Sequence, residues 1–143
     1  MKIQKDGSAH WSGGLKDGKG EMKPAHAPAA PFSLGTRFEG QPGSNPEELI
    51  GAALAGCFSM AFTVTLEKAG LKPQHIQSST DVHLDKQGEG FAITTIDLST
   101  EVTVAGLDDA KFQQLAEETK KNCPVSKALG GVQINLKAKL NAS

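Results

Sequence analysis

The chain lacks an excess of charge of either sign, with 15 Lys and Arg against 16 Asp and Glu in 143 residues. Without a basic field nothing is there to hold a phosphate backbone, and nucleic acid is not an expected partner. No apolar run follows the basic residues of the Met1–Gly7 segment, so a secretory signal is not expected and the cytoplasm is the expected location. Only two cysteines occur, Cys57 and Cys123. They are too few for a secreted disulfide framework, and they lack the paired local spacing of a zinc site. In a reducing compartment they are either inert core thiols or catalytic. Internal repeats and low-complexity tracts are missing too. The length is that of one domain, residues 1–143, able to bury roughly two thirds of the surface its unfolded chain exposes. Metal chemistry has little to work with. His10, His75 and His83 fall on strand-like segments and His26 in a loop, without a His-X-X-X-His pair. Asp81 and Asp85, at alternate positions around His83, read as the polar face of a strand.

What is present divides at Ser44. Before it, Gly, Lys and Pro dominate, with short strands expected around Ala9-His10-Trp11 and Pro31-Phe32-Ser33-Leu34 and a proline-rich loop over Pro24–Pro31. Then Ser44-Asn45-Pro46-Glu47-Glu48-Leu49 starts a helix: Asn45 is an N-cap residue, Pro46 suits the first helical position, and two glutamates fill the first turn. The helix runs to Leu66 and stops before Ala69-Gly70 and Pro73, apolar nearly all round. Burial at the centre of the structure is expected rather than a membrane span, since two Gly, one Ser and two Thr make it marginal for spanning. The small residues Gly51, Ala52, Ala53, Ala55 and Gly56 would let another helix approach closely.

Two antiparallel strands are expected over His75–Lys86 and Phe91–Val104, joined by Gln87–Gly90. The apolar positions of the second keep no single parity, which predicts a bulge or twist. A second helix over Asp108–Lys121, a short one from Pro124 through Leu129, and a strand over Val132–Leu140 with one wet face complete the chain. The order is α+β with mostly antiparallel sheet.

The two thiols have opposite surroundings. Cys123 stands before Pro124 at a helix N-terminus, where free N–H groups and the dipole favour a thiolate. Cys57 sits mid-helix among apolar neighbours, where desolvation opposes ionisation, so it needs a cation to react. The only arginine of the chain is Arg37, just upstream of that helix. It is either that cation or half of a surface ion pair.

Thr36-Arg37-Phe38-Glu39-Gly40, the run Gly43-Ser44-Asn45-Pro46-Glu47-Glu48-Leu49-Ile50-Gly51-Ala52-Ala53, then Ala55-Gly56-Cys57-Phe58-Ser59-Met60 and Asn122-Cys123-Pro124-Val125-Ser126 resemble the family of osmotically inducible protein C (OsmC) and organic hydroperoxide resistance protein (Ohr). The resemblance covers nearly the whole chain and lies nearer the OsmC branch, because Arg37 falls shortly before the helix. It implies an OsmC-like fold, with antiparallel sheets on a long central buried helix and a second helix, in an intertwined homodimer. It further implies a cysteine-based peroxidase reducing organic hydroperoxides and, less well, hydrogen peroxide, without a bound cofactor. By that resemblance Cys57 is the peroxidatic thiol, Cys123 the resolving thiol, Arg37 the activating cation and Glu48 the group that holds the arginine. The Cys57 thiolate attacks the O–O bond, Cys123 condenses with the sulfenate, and an external dithiol or dihydrolipoyl group, free or on a lipoylated protein, restores both. Phe58, Met60 and Phe62 would offer an apolar lining to an alkyl chain.

Helix geometry adds an argument for two chains. Glu48 and Cys57 lie nine positions apart on one helix, about 180° around and about 13 Å along the axis. If the arginine held by Glu48 is to reach Cys57, a second subunit supplies one of them, and the over-apolar helix points the same way. Two other readings remain open from the residues alone. One is a thiol–disulfide oxidoreductase acting on proteins, although Cys-X-X-Cys and a βαβ context are missing. The other is a non-enzymatic dimer that binds a hydrophobic ligand, with both cysteines structural.

Overall fold

The computed structural model describes residues 1–141, which group into two compact units, Met1–Leu49 and the residues from Ile50 onward. In the first unit β1 (Gly7–Ser12), β2 (Lys19–Pro24) and β3 (Ala30–Phe32) form an antiparallel sheet in that order. The register sets Trp11 and Phe32 on either side of Gly20, and the two rings meet with centroids 5.5 Å apart. A Cβ at Gly20 would stand 2.9 Å from Trp11 and 3.0 Å from Phe32, so the aromatic pair occupies the side-chain space of that position. The proline-rich stretch is a loop only in its middle, because Pro24 closes β2 and Pro31 lies within β3. An edge strand tolerates the missing N–H.

The strand expected over Pro31–Leu34 ends at Phe32. Ser33 instead caps a helical turn, α1 (Leu34–Phe38): the Thr36 N–H donates to Ser33 Oγ at 3.2 Å and the Ser33 N–H donates to Thr36 Oγ1 at 2.9 Å. That reciprocal box is readable from the Ser-X-X-Thr spacing. It places Arg37 in the last turn of α1.

The long helix α2 (Pro46–Lys68) starts as expected, with Asn45 Oδ1 accepting the Glu48 N–H at 2.8 Å. It ends at Gly70, whose φ of 80° lets the Leu71 N–H donate back to the Leu66 carbonyl at 2.9 Å. Leu54, Phe58, Phe62 and Leu66, four apart, make a fully buried stripe. They join Ile96, Leu98, Val102 and Val104 and, from the second long helix, Phe112, Leu115 and Ala116 in one core. Phe62 sits between Phe58 and Phe112 at centroid distances of 5.4 and 5.5 Å. Burying each such side chain contributes roughly 1.5–3 kcal/mol. Phe58 and Phe62 are thereby core residues and not the substrate lining expected of them.

The central burial expected for α2 is not reached within one chain. Among the described residues it is the one helix long and apolar enough to cross a membrane, and 28% of its most apolar stretch is buried. Ala52, Ala53, Gly56, Met60 and Val64 are exposed, Met60 by 74%. Gly51 faces the other way, where a Cβ would overlap Thr80 Oγ1 and crowd Val82. The small side at Gly51 thus admits a β-sheet, not a second helix.

That sheet comprises β4 (His75–Gln87), β5 (Gly90–Thr103) and β6 (Gln133–Asn141) in the order β4-β5-β6. The hairpin between β4 and β5 turns at Gly88, φ 61°, with Glu89 in ordinary negative-φ backbone, as a II′ turn requires. His83 pairs Thr95 and Leu84 pairs Ile93, leaving Thr94 as the extra residue of the expected bulge. The expectation of antiparallel sheets is corrected at β6, which runs parallel to β5 with Ile96 opposite Ile134 and Leu98 opposite Leu136. Between them α3 (Asp109–Asn122), capped by Asp108 on the Lys111 N–H at 2.8 Å, and α4 (Pro124–Ala128) form a crossover long enough to return the chain in the same direction.

On the wet face of this sheet His83 bonds Asp97 at 2.8 Å, and Asp97 accepts from Asn135 Nδ2 at 3.0 Å, tying three strands together. The hydrogen bond to Asp97 raises the His83 pKa against the opposing effect of burial, helped by the charges of Asp97, Asp85 and Asp81. A raised histidine contributes stability that is complete below its unfolded value near 6.5 and fades as pH rises through the folded value. Raising the pH from about 6 to about 8 should therefore lower the thermal midpoint slightly, and His83→Gln should remove that slope. A scan of both proteins across this window checks it; an unchanged slope in the variant would assign it to another group.

Candidate active site

The core of the second unit brings the two cysteines together. Cys57, half-buried on α2, and Cys123, fully buried, have their sulfurs 2.8 Å apart, and both are free thiols. Cys123 ends α3 and begins α4: its N–H donates to the Thr119 carbonyl at 2.9 Å, while its own carbonyl accepts the Lys127 N–H at 3.0 Å. Pro124 at the first position of α4 enforces this break, as its sequence position requires.

One hydrogen bond joins the sulfurs, and whichever thiol ionises first accepts it from the other. Burial pushes the Cys57 thiol up, and the hydrogen bond with Cys123 pushes it further; a hydrogen bond from the Val125 backbone pulls the other way. Burial also opposes the Cys123 thiolate, but the anion can draw hydrogen bonds from Cys57, from the backbone and side chain of Ser126 and from the Val125 backbone, and these outweigh burial and hold that pKa down. Within this pair Cys123 is the sulfur that ionises first. The contrast drawn from the linear sequence, a favoured Cys123 thiolate and a Cys57 in need of help, is reproduced by the packed structure.

The first unit assembles a different pair. Arg37, from the last turn of α1, grips Glu47 at the start of α2: Nη2 donates to Oε2 at 2.8 Å and Nε to Oε1 at 3.1 Å. The Glu47 side chain is 10% exposed and the arginine 37%, so the carboxylate is the enclosed partner. The guanidinium carbon also lies 5.1 Å from the centroid of the Phe38 ring. The interaction uses the Nε–Nη2 edge, and Nη1 meets no acceptor among the described residues. Asn45 Nδ2 donates to the Thr36 carbonyl at 3.2 Å, tying α1 to the start of α2.

Glu48, expected to hold the arginine, does not. Its carboxylate accepts from the Asn45 side-chain amide, and its N–H is the one Asn45 caps. The reason is positional. Asn45 is the N-cap and Glu48 the third helical residue, which reaches back to its cap, while Glu47 one position earlier points elsewhere. Of the four expected site residues, then, the structure joins Cys57 with Cys123, gives Arg37 to Glu47 and leaves Glu48 to helix capping. Glu47 is the residue the sequence reading missed.

Among the described residues no cluster of three or more His, Cys, Asp or Glu side chains is arranged to hold a metal. Between α2 and α3 an open groove of about 450 Å³ is lined by Ala61, Val64, Thr65, Leu115, Thr119 and Asn122 among others, and neither cysteine lines it. Most of that lining is apolar.

Residues 38–137 match the model of a protein family described as OsmC-like protein. The chain is 48% identical over 131 residues to a peroxiredoxin OsmC of Escherichia coli, covering 90% of this chain and 92% of that protein. It is 32% identical over 103 residues to the organic hydroperoxide resistance protein OhrB of Bacillus subtilis, covering 71% and 74%. The crystal structure of that OhrB superposes with a TM-score of 0.70 at 25% identity, over 97% of this chain and 98% of the other. An OsmC-like protein from Mycoplasma pneumoniae shares the fold with a TM-score of 0.76 at 15% identity, over 98% and 99%.

Proposed function

Because the chain belongs to the OsmC family, we propose that it is a cysteine-based peroxidase that reduces organic hydroperoxides at Cys57 and regenerates through Cys123. The observation that carries this reading is the pair of free thiols with sulfurs 2.8 Å apart, one on a long apolar helix and one at a helix junction. The Cys57 thiolate attacks the terminal peroxide oxygen; the O–O bond breaks, the alkoxide leaves and takes up a proton, and Cys57 becomes a sulfenic acid. The Cys123 thiolate then attacks that sulfur, the oxygen departs as water, and a disulfide forms. An external dithiol, of the dihydrolipoyl type, attacks the disulfide and leaves as its own cyclic disulfide. The net reaction turns hydroperoxide and dithiol into alcohol, water and disulfide. No resident cofactor enters these steps. A soluble enzyme in the reducing cytoplasm would keep both thiols ready.

Activation of Cys57 falls to Arg37, whose unused Nη1 edge can face a thiolate and a peroxide oxygen while Glu47 fixes the other edge. On α2, Glu47 precedes Cys57 by ten positions, about 15 Å of helix rise. The pair is therefore offered to a thiol of a second copy of this chain. The exposed stripe Ala53, Gly56, Met60 and Val64 is the apolar face such a partner would cover. Met60→Glu with Val64→Glu should convert a dimer to monomers and lower peroxidase activity with it; light scattering and turnover measured across the dissociation range check this. A fully active monomer would end the two-chain arrangement.

The direct test is stoichiometric. One equivalent of an alkyl hydroperoxide should consume both titratable thiols per chain and yield an intrachain disulfide, and a dithiol should make the consumption catalytic. A protein that instead exchanges with a disulfide substrate at equal rate without peroxide would be a thiol–disulfide oxidoreductase, and one inert to both would be a binding protein.

A further inference from the structure

Ser126 carries the one buried side-chain nitrogen or oxygen without a hydrogen-bond partner among the described residues, its Oγ. An orphan hydroxyl in a packed site calls for a reason. Its position supplies one. Cys123 is the N-cap of α4 and Ser126 its third residue, the spacing of a capping box, in which the third side chain returns to the cap's backbone N–H. Here that N–H is already committed to the Thr119 carbonyl at 2.9 Å, because Cys123 also terminates α3. The Ser126 hydroxyl thus stands at the position from which a capping-box side chain meets its cap residue, with the usual partner there already taken. The carbonyl of that residue already accepts the Lys127 N–H, which leaves the sulfur, and a thiol accepts weakly while a thiolate accepts well.

We propose that Ser126 is a positioning residue for the resolving thiol, its hydroxyl donating to the Cys123 thiolate and holding it ionised and aimed at Cys57. The inference rests on the peroxidase reading only for its place in the cycle. The lowered Cys123 pKa, to which the Ser126 side chain contributes, agrees with the geometry. In the resolving step the Cys123 thiolate gives an electron pair to the sulfur of the Cys57 sulfenic acid. The S–O bond breaks, hydroxide leaves and gains a proton to become water, and the S–S bond forms, Cys123 being oxidised and the sulfenic sulfur reduced. The oxidising equivalent is the hydroperoxide's.

The test is made first in a Cys57→Ser background without peroxide, so that Cys123 is the only thiol, by thiolate absorbance and by the pH profile of alkylation. Losing one hydrogen bond to an anion should leave about tenfold less thiolate at neutral pH in Ser126→Ala, and Ser126→Thr should restore it. With Cys57 present, disulfide formation after one equivalent of alkyl hydroperoxide should slow by about threefold, less than tenfold because a more basic thiolate is more nucleophilic. The thermal midpoint of the reduced Ser126→Ala protein should not fall, since the hydroxyl it loses has no partner in the dithiol state. An unmoved Cys123 titration, or a shift that threonine does not reverse, overturns the inference whether or not the wild type turns over peroxide. A restored titration in a protein without peroxidase activity supports the inference and removes the peroxidase reading instead.

Discussion

Cys57→Ser should lower hydroperoxide turnover by about 10³-fold or more, whereas Cys123→Ser should consume one equivalent of peroxide per chain and then stall. The asymmetry follows from the order of the two steps. Cys57 must be oxidised before Cys123 has anything to attack, so its loss removes the first bond-making step. Loss of Cys123 leaves a sulfenic acid that a chemical trap or a mass increase of one oxygen would detect. The experiment is decisive because the isolated pair points the other way. Burial raises Cys57, while Ser126, Val125 and Cys57 itself hold Cys123 down, so Cys123 is the better thiolate on local grounds. A thiolate without a means of stabilising the departing alkoxide gains little, and the guanidinium fork of Arg37 provides that means only if it reaches Cys57. If Cys123 were the peroxidatic sulfur, the two phenotypes would exchange. Sulfenic acid would then accumulate on Cys123 in the Cys57→Ser protein.

Features set by immediate sequence neighbours are legible. Asn45 and Cys123 stand at helix starts as their neighbours dictate, and the irregular parity of β5 is met by a bulge at Thr94. Features set by distant packing were not legible in the same way. The direction of β6 depends on where α3 and α4 return the chain, and alternation of apolar residues is the same for parallel and antiparallel pairing. Phe58 and Phe62 looked like pocket lining because an all-apolar helix conceals which face is core; only the stripe with Leu54 and Leu66 against Phe112 decides it. The meeting of Cys57 with Cys123 came from family resemblance, since no local spacing joins residues on two separate helices. Two further features lie within local reach of the sequence. The Ser33-X-X-Thr36 box marked α1, and Glu48, three residues after Asn45, was already committed to the cap.

The division of roles between Glu47 and Glu48 allows a test between neighbouring residues of identical chemistry. Glu47→Gln should lower kcat/KM for hydroperoxide by about 10²-fold, the scale of a misplaced catalytic group, while Glu48→Gln should leave it near the wild-type value. A carboxylate accepts both donors of the Arg37 edge, but an amide can accept on one atom only and presents its NH₂ against a guanidinium with the other. The fork then loses its fixed orientation, and Nη1 its aim. Arg37→Met should cost more, about 10²–10³-fold, because the donor itself is gone, and it also strands the enclosed Glu47 carboxylate. Arg37→Lys should fall between the two, keeping the charge without the planar fork. Glu48→Gln has its own signature, a loss of about 0.3–1 kcal/mol in stability as the first turn loses a negative charge at the helix N-terminus, visible in denaturant titration and absent from kinetics. Steady-state rates on an alkyl hydroperoxide for all four proteins, beside their unfolding midpoints, separate catalysis from capping. Equal kinetic losses in the two glutamate variants would detach activity from the Arg37–Glu47 pair and with it the role given to the arginine.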